Sequence, residues 1–282
     1  MTGASQLQLD RRRMLGGLAL GLGGAALTAC GSRAGAQARA LACAATPTEI
    51  KGPFPADGSN GRPPVNVLAM DGVVRRDIRA SFAGLRGSAE GVPLELELAL
   101  ADSGDSCRPL PGRAVYLWQN DAAGAYSLYD LPDRNYLRGL QPADGEGRVR
   151  FTAIVPGCYG GRYPHCHFEV FASVEAALRG ERALLVSQLA YPDAECRAIY
   201  RDDARYGQSL RNLERLPLER DFVFADAATT GQVVTMSGDP ANGYADRVLG
   251  SGGPEAYEGN GFWSAQPGRG AAVPAEAEPS TE

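Results

Sequence analysis

Hydrophobic and polar residues alternate with period two over Leu94-Glu95-Leu96-Glu97-Leu98-Ala99-Leu100. That pattern predicts a strand with one face buried. Further strand-forming runs occupy Ala114 to Gln119, Arg148 to Ile154, His165 to Ala172, Ala183 to Leu189, Asp221 to Ala225, Gln232 to Met236 and Tyr244 to Leu249. Gly, Pro, Asp and Asn punctuate the gaps. One short helix-like stretch runs from about Ala194 to Tyr206. Many strands, frequent turns and little helix predict an all-β chain, a β-sandwich with long loops and one short helix.

The two ends break this pattern. Asp10-Arg11-Arg12-Arg13-Met14-Leu15-Gly16 leads into an apolar Gly/Ala/Leu run that closes at Leu27-Thr28-Ala29-Cys30. Basic residues, a short apolar run and small residues before a cut site make an export signal over residues 1–30, too short and glycine-rich for a comfortable membrane span. The adjacent arginines point to the twin-arginine route. Leu27-Thr28-Ala29-Cys30 resembles a bacterial lipobox, which would lipidate Cys30 and attach the protein to a membrane. The rival is cleavage after Ala36-Gln37-Ala38, which would release a soluble periplasmic protein. Residues 31–42 read as a linker and residues 43–250 as one domain. Residues 251–282, rich in Gly, Pro, Ala and Glu, read as a disordered tail.

Without Cys30, five cysteines remain: Cys43, Cys107, Cys158, Cys166 and Cys196. Disulfides are permitted outside the cytoplasm, and an odd count leaves at least one thiol unpaired. A net charge of −5 with no basic stripe argues against nucleic acid as a partner. Lys51 is the only lysine, so arginine abundance reflects composition and says little about anion binding. Oligomeric state has no signature in the sequence.

The chain has two histidines, His165 and His167, in Gly161-Arg162-Tyr163-Pro164-His165-Cys166-His167-Phe168. On a strand both rings point to one side, with Cys166 on the other. Two imidazoles can meet at one metal ion, but they are too few to hold it. Glu169 can face the same side, yet reads as a solvated or paired carboxylate. Tyrosines are better placed. Tyr159 sits in a turn, Val155-Pro156-Gly157-Cys158-Tyr159-Gly160-Gly161, that feeds the histidine strand, and Tyr126 follows a strand running into a turn. A phenol ionises near pH ~10, and much earlier on a strong Lewis acid. Phenolate is a hard oxygen donor that suits Fe(III) better than Zn(II). Two tyrosines and two histidines therefore fit a non-haem Fe(III) centre with room for a chelating substrate.

These stretches resemble the intradiol ring-cleavage dioxygenases, the family of the catechol and protocatechuate 3,4-dioxygenases. The resemblance lies in Pro111-Gly112-Arg113 through Trp118-Gln119-Asn120-Asp121-Ala122-Ala123-Gly124-Ala125-Tyr126, in Leu137-Arg138-Gly139-Leu140-Gln141 through Pro156-Gly157-Cys158-Tyr159, in Arg162-Tyr163-Pro164-His165-Cys166-His167, and in Ser187-Gln188-Leu189. It extends from about Cys43 to Leu249 and is nearest to the exported, single-domain members. By position it implies Tyr126, Tyr159, His165 and His167 as iron ligands, Arg162 as an active-site arginine that stabilises negative charge, and Gln188 as a glutamine beside the bound ring. It implies that O₂ cleaves a catechol-type diol between its hydroxylated carbons to a muconate-type diacid, with Tyr159 leaving the metal and taking a substrate proton.

Two departures stand out. Cys166 replaces the usual aliphatic between the histidines, and the loop from Tyr159 to Arg162 is short, which leaves the accepted ring substituents open. Tyr129, Tyr136 and Tyr163 are near rivals for the tyrosine positions, and Trp118 reads as core. The competing classes are a periplasmic metal- or phenol-binding module without oxygen chemistry, and a zinc hydrolase built on the two histidines.

Overall fold

The alternating run forms a strand whose leucines Leu94, Leu96, Leu98 and Leu100 are all buried while Pro93 and Glu95 are exposed. In the computed structural model, residues 45–61 and 64–251 are described. The export signal with Cys30, the linker, Cys43 and the tail beyond Ser251 lie outside the described residues. The described chain falls within one unit, Ala40–Glu282.

In chain order the strands are β1 (Asp57–Gly61), β2 (Pro64–Asn66), β3 (Pro93–Asp102), β4 (Arg108–Pro109), β5 (Ala114–Trp118), β6 (Arg138–Pro142), β7 (Arg148–Ile154), β8 (His165–Phe171), β9 (Leu185–Ala190), β10 (Thr235–Asp239) and β11 (Gly243–Ser251). The helices are α1 (Val174–Leu178), α2 (Asp193–Asp202), α3 (Ser209–Arg215) and α4 (Ala227–Thr230). One sheet runs β10-β11-β3-β4 with β7 also paired to β3; the other runs β6-β5-β8-β9; β1 and β2 form a hairpin. β11 lies parallel to β3, whereas β7 pairs antiparallel on its other side.

The two larger sheets share one apolar cluster. β3 and β7 supply Leu94, Leu96, Leu98, Val149, Phe151 and Ala153, and β5 and β8 supply Val115, Leu117, Cys166, Phe168 and Val170. The expected all-β sandwich is therefore present. The second sheet is covered on its other face as well, since every residue of β5 and of β8 is buried. A second cluster lies there, with Ala114, Tyr116, Trp118, Leu140 and Phe171 against Ala56, Val67 and Leu68.

What covers that outer face is an arm, residues 45–56, that crosses the sheet from β9 to β6. Glu49 N–H donates to the Val186 carbonyl at 2.9 Å. Ser187 Oγ donates to the Pro47 carbonyl at 2.8 Å and Gln188 Nε2 to the Ile50 carbonyl at 2.7 Å. At the far end, Tyr116 hydroxyl donates to the Pro55 carbonyl at 2.7 Å, and Arg138 Nη1 donates to the Phe54 and Pro55 carbonyls at 2.9 and 3.0 Å. Arg138 is fully buried; its Nη2 and Nε also donate to the Ser127 carbonyl and hydroxyl, so the guanidinium is satisfied by oxygen acceptors.

Several expectations need correction. Asp221 to Ala225 is not a strand but a run of turns. Its alternation is real, but Asp221 Oδ1 accepts the Val223 N–H at 2.9 Å and bends the backbone locally. The helical stretch is α2 followed by a 3-10 turn at Ala204–Tyr206, and it is joined by three shorter helices, α1, α3 and α4. β6 was not anticipated, and β10 starts three residues later than expected, with Val233 making only an isolated bridge to Ala190. Among the described residues no helix is long and apolar enough to cross a membrane. Cys158, Cys166 and Cys196 are buried thiols, while Cys107 is disulfide-bonded.

Candidate metal centre

Strand register assembles the floor of the site. Across β6-β5-β8-β9, Arg138 faces Trp118, Trp118 faces His167 and His167 faces Gln188. Directly paired residues share a sheet face, so these four side chains form one row under the arm. The next row carries Tyr116 opposite Glu169. His165, two residues before His167, joins the same face, and Cys166 enters the inter-sheet core instead.

The tyrosines arrive on two interlocked turns. Asp121 takes the Ala123 and Ala125 N–H groups at 3.0 Å each, closing the turn that ends at Tyr126. Gly124 there has φ +90°, and a Cβ on it would lie 3.1 Å from the Tyr159 Cβ. Gly157 is in turn pressed on the Ala122 backbone, and its N–H donates to the Asp121 carbonyl at 3.0 Å. Asn120 Nδ2 donates to the Gly157 carbonyl at 2.9 Å. The two motifs therefore fix each other as well as their own tyrosines.

Four donor atoms converge. His165 Nε2 and His167 Nε2 are 3.0 Å apart. Tyr126 hydroxyl lies 3.3 Å from His167 Nε2 and 3.5 Å from His165 Nε2. Tyr159 hydroxyl lies 3.4 Å from His165 Nε2. Two donors each about 2.1 Å from a shared ion stand about 3.0 Å apart at a right angle and about 3.4 Å apart at the tetrahedral angle. The observed spacings match the edges of such a shell. Among the described residues no group of three or more His, Cys, Asp and Glu side chains could hold a metal, and the donors gathered with these two imidazoles are tyrosine oxygens. Two imidazoles with two phenols suit a ferric ion better than zinc.

Electrostatics favours the same state. Burial, aided by the Arg162 charge, pushes the His165 pKa down to about 3, and burial pushes His167 well below its ordinary value. Both imidazoles are thus neutral at pH 7. His165 Nδ1 lies 2.5 Å from the Tyr163 carbonyl and donates to it, which turns the Nε2 lone pair inward. Trp118 stacks on His167 with ring centroids 5.0 Å apart and planes within 5°. Burial raises the pKa of both Tyr126 and Tyr159, so each phenol keeps its proton until a cation displaces it.

Arg162 and Gln188 belong to the same site. Arg162 Nη2 donates to Gln188 Oε1 at 2.7 Å, and its Nη1 is 3.5 Å from His165 Nε2. The rival tyrosines are elsewhere: Tyr129 binds Asn60 and the arm, Tyr136 donates to Asp121, and Tyr163 packs between the sheets. Glu169 is not solvated. It is buried and held 2.7 Å from Lys51, which also reaches Asp57 at 2.5 Å, and burial pushes its carboxyl up to about 7 despite that lysine.

A dioxygenase family model matches residues 84–177, a span that contains Tyr126, Tyr159, Arg162, His165 and His167. Over this span the chain is similar to the intradiol dioxygenase family. Within that family it is 37% identical over 98 residues to the protocatechuate 3,4-dioxygenase beta chain of Burkholderia cepacia, covering 30% of this chain and 39% of that one. It is 37% identical over 54 residues to the catechol 1,2-dioxygenase of Pseudomonas sp. (strain EST1001), covering 19% and 18%. The chain thus spans well under half the length of either curated relative. An intradiol ring-cleavage dioxygenase from Tetranychus urticae shares the fold, with TM-score 0.58 and 21% identity over 75% of this chain and 96% of that one.

Sequence reasoning missed four contributors to the site. Asp221 binds Arg162, Phe224 lies 6.1 Å from the His165 ring, Gly52 abuts the His167 ring, and the Phe54 ring lies 4.7 Å from that of Tyr126. Gly52 and Phe54 sit in the arm, where no periodicity marks them. Asp221 and Phe224 were hidden in the alternation that imitated a strand.

Proposed function

We propose that this chain is a non-haem Fe(III) dioxygenase that cleaves catechol-type diols between the two hydroxylated carbons. Both atoms of O₂ enter the product, a muconate-type diacid. The observation that carries this reading is the convergence of Tyr126, His165 and His167 at 3.0 to 3.5 Å from one another, with the Tyr159 hydroxyl 3.4 Å from His165 Nε2.

Bound there, Fe(III) supplies Lewis acidity that draws in the deprotonated diol and makes its ring reactive toward O₂. The protein's own groups divide the remaining work. Tyr126, His165 and His167 are almost fully enclosed, whereas Tyr159 is only partly buried. With a metal bound, Tyr159 would be the donor best placed to withdraw, and its burial-raised pKa would suit it to accept a substrate hydroxyl proton. Arg162 presents Nη1 where negative charge grows on the diol. Trp118, Phe224 and the arm exclude water and fix the ring planes of the histidines.

The chain works outside the cytoplasm, exported by the twin-arginine route and either lipidated at Cys30 or released after Ala38. The disulfide at Cys107 supports an oxidising compartment.

The test is direct. Purified protein should contain iron, show the red-brown phenolate charge-transfer colour, and consume O₂ with some member of a panel of catechol, protocatechuate, hydroxyquinol and chlorinated catechols. Colourless zinc protein, or iron protein without O₂ uptake across the panel, overturns the reading in favour of a binding module.

A further inference from the structure

Building on that reading, we propose that Asp221 is a positioning residue that aims the Arg162 guanidinium at the reacting diol. Arg162 Nε donates to Asp221 Oδ2 at 2.9 Å and Nη2 donates to Gln188 Oε1 at 2.7 Å. A planar guanidinium held at those two edges keeps one orientation. In it, Nη1 points toward the donor cluster, 3.5 Å from His165 Nε2.

Asp221 is itself immobile. Its side chain is fully buried, Oδ2 also accepts the Tyr163 N–H at 2.7 Å, and Oδ1 accepts the Val223 N–H at 2.9 Å. The turn that carries it brings two aromatic rings against the same guanidinium, Phe222 at 4.8 Å and Phe224 at 5.7 Å. A buried carboxylate with every visible bond directed at one arginine and two backbone amides holds direction as well as charge. Gln188 anchors the opposite edge and is tied to the arm through the Ile50 carbonyl. Arg162 is therefore suspended between Asp221 in the turn after α3 and Gln188 on β9.

The experiment is a double-mutant cycle on the iron-loaded full chain. Asp221→Asn should lower kcat on catechol about tenfold or more while KM moves less than about threefold. In an Arg162→Ala background the same change should cost less than about twofold, because there is no guanidinium left to aim. A second readout uses the metal-free full chain. The Arg162 Nε–H NMR cross-peak, assigned by its loss in Arg162→Ala, should be protected from solvent exchange in the wild type and unprotected in Asp221→Asn. If Asp221→Asn does not fold, Asp221→Glu, which keeps the charge and shifts its reach by one methylene, enters the same cycle with the same expectations. Equal losses in both backgrounds, unchanged kcat, or a persisting protected Nε–H overturns the proposal. A wild type inactive on every catechol would instead defeat the proposed function, and the NMR arm would still decide whether Asp221 holds Arg162.

Discussion

The Nε2 atoms of His165 and His167 face each other across 3.0 Å, with both rings buried. Two imidazolium ions cannot share that space, and burial already holds His165 near a pKa of about 3 and His167 well below its ordinary value. In the unfolded chain each takes a proton near pH ~6.5. Below that pH the unfolded state binds more protons than the native state, so stability falls as pH falls. The contribution is complete above pH ~6.5 and is lost at up to about 1.4 kcal/mol per pH unit for each histidine. Urea midpoints of metal-free protein should drop between pH 7.5 and 5. A His165→Gln/His167→Gln double variant should show a flatter profile, and an equally steep one would assign the acid sensitivity elsewhere.

Removing one imidazole should empty the centre. His165→Ala or His167→Ala is expected to lose most of its iron, as read by metal analysis of purified protein. Full occupancy in either variant would count against both histidines as ligands.

Tyr159 is the least enclosed of the four donors. Tyr159→Phe should retain iron but bleach part of the visible charge-transfer band and lower kcat by roughly 100-fold, the scale of one lost general base. Turnover of catechol at the wild-type rate would remove its proton-accepting role.

Gly52 has φ +77°, and a Cβ on it would lie 3.1 Å from Cε1 of His167. Gly52→Ala combines left-handed strain with pressure on a metal-facing ring. It should cost roughly 1 to 3 kcal/mol of stability in denaturant unfolding and weaken iron retention during dialysis against a chelator. An unchanged midpoint would show that the arm yields at this point.

The sheets were legible because their signals are local. Leu94 to Leu100 alternates, and β8 places His165 and His167 on one side with Cys166 on the other, as a period of two requires. Both tyrosine turns announced themselves through Asp121, Gly124 and Gly157, residues whose conformational duties are written in their chemistry. β6 was not legible. It begins at a buried arginine and a glycine, and it becomes a strand through its pairing with β5. The arm was equally silent, since it holds its place by side chains of other elements reaching its carbonyls. Asp221 shows the converse error. Its segment alternates like a strand, yet the carboxylate turns back on the Val223 amide and on Arg162.

The centre draws on Gly52 in the arm, on both tyrosine turns, on β8 and on Phe224 beyond α3. Nothing near the N-terminus of the domain can finish it alone. A nascent chain therefore lacks the Phe224 contacts with His165 and Arg162 until the ribosome has released the segment past Phe224. On the proposed function, a prematurely terminated product ending before Asp221 carries all four donors but lacks the residues that hold Arg162 and pack on the His165 ring, and should retain iron poorly.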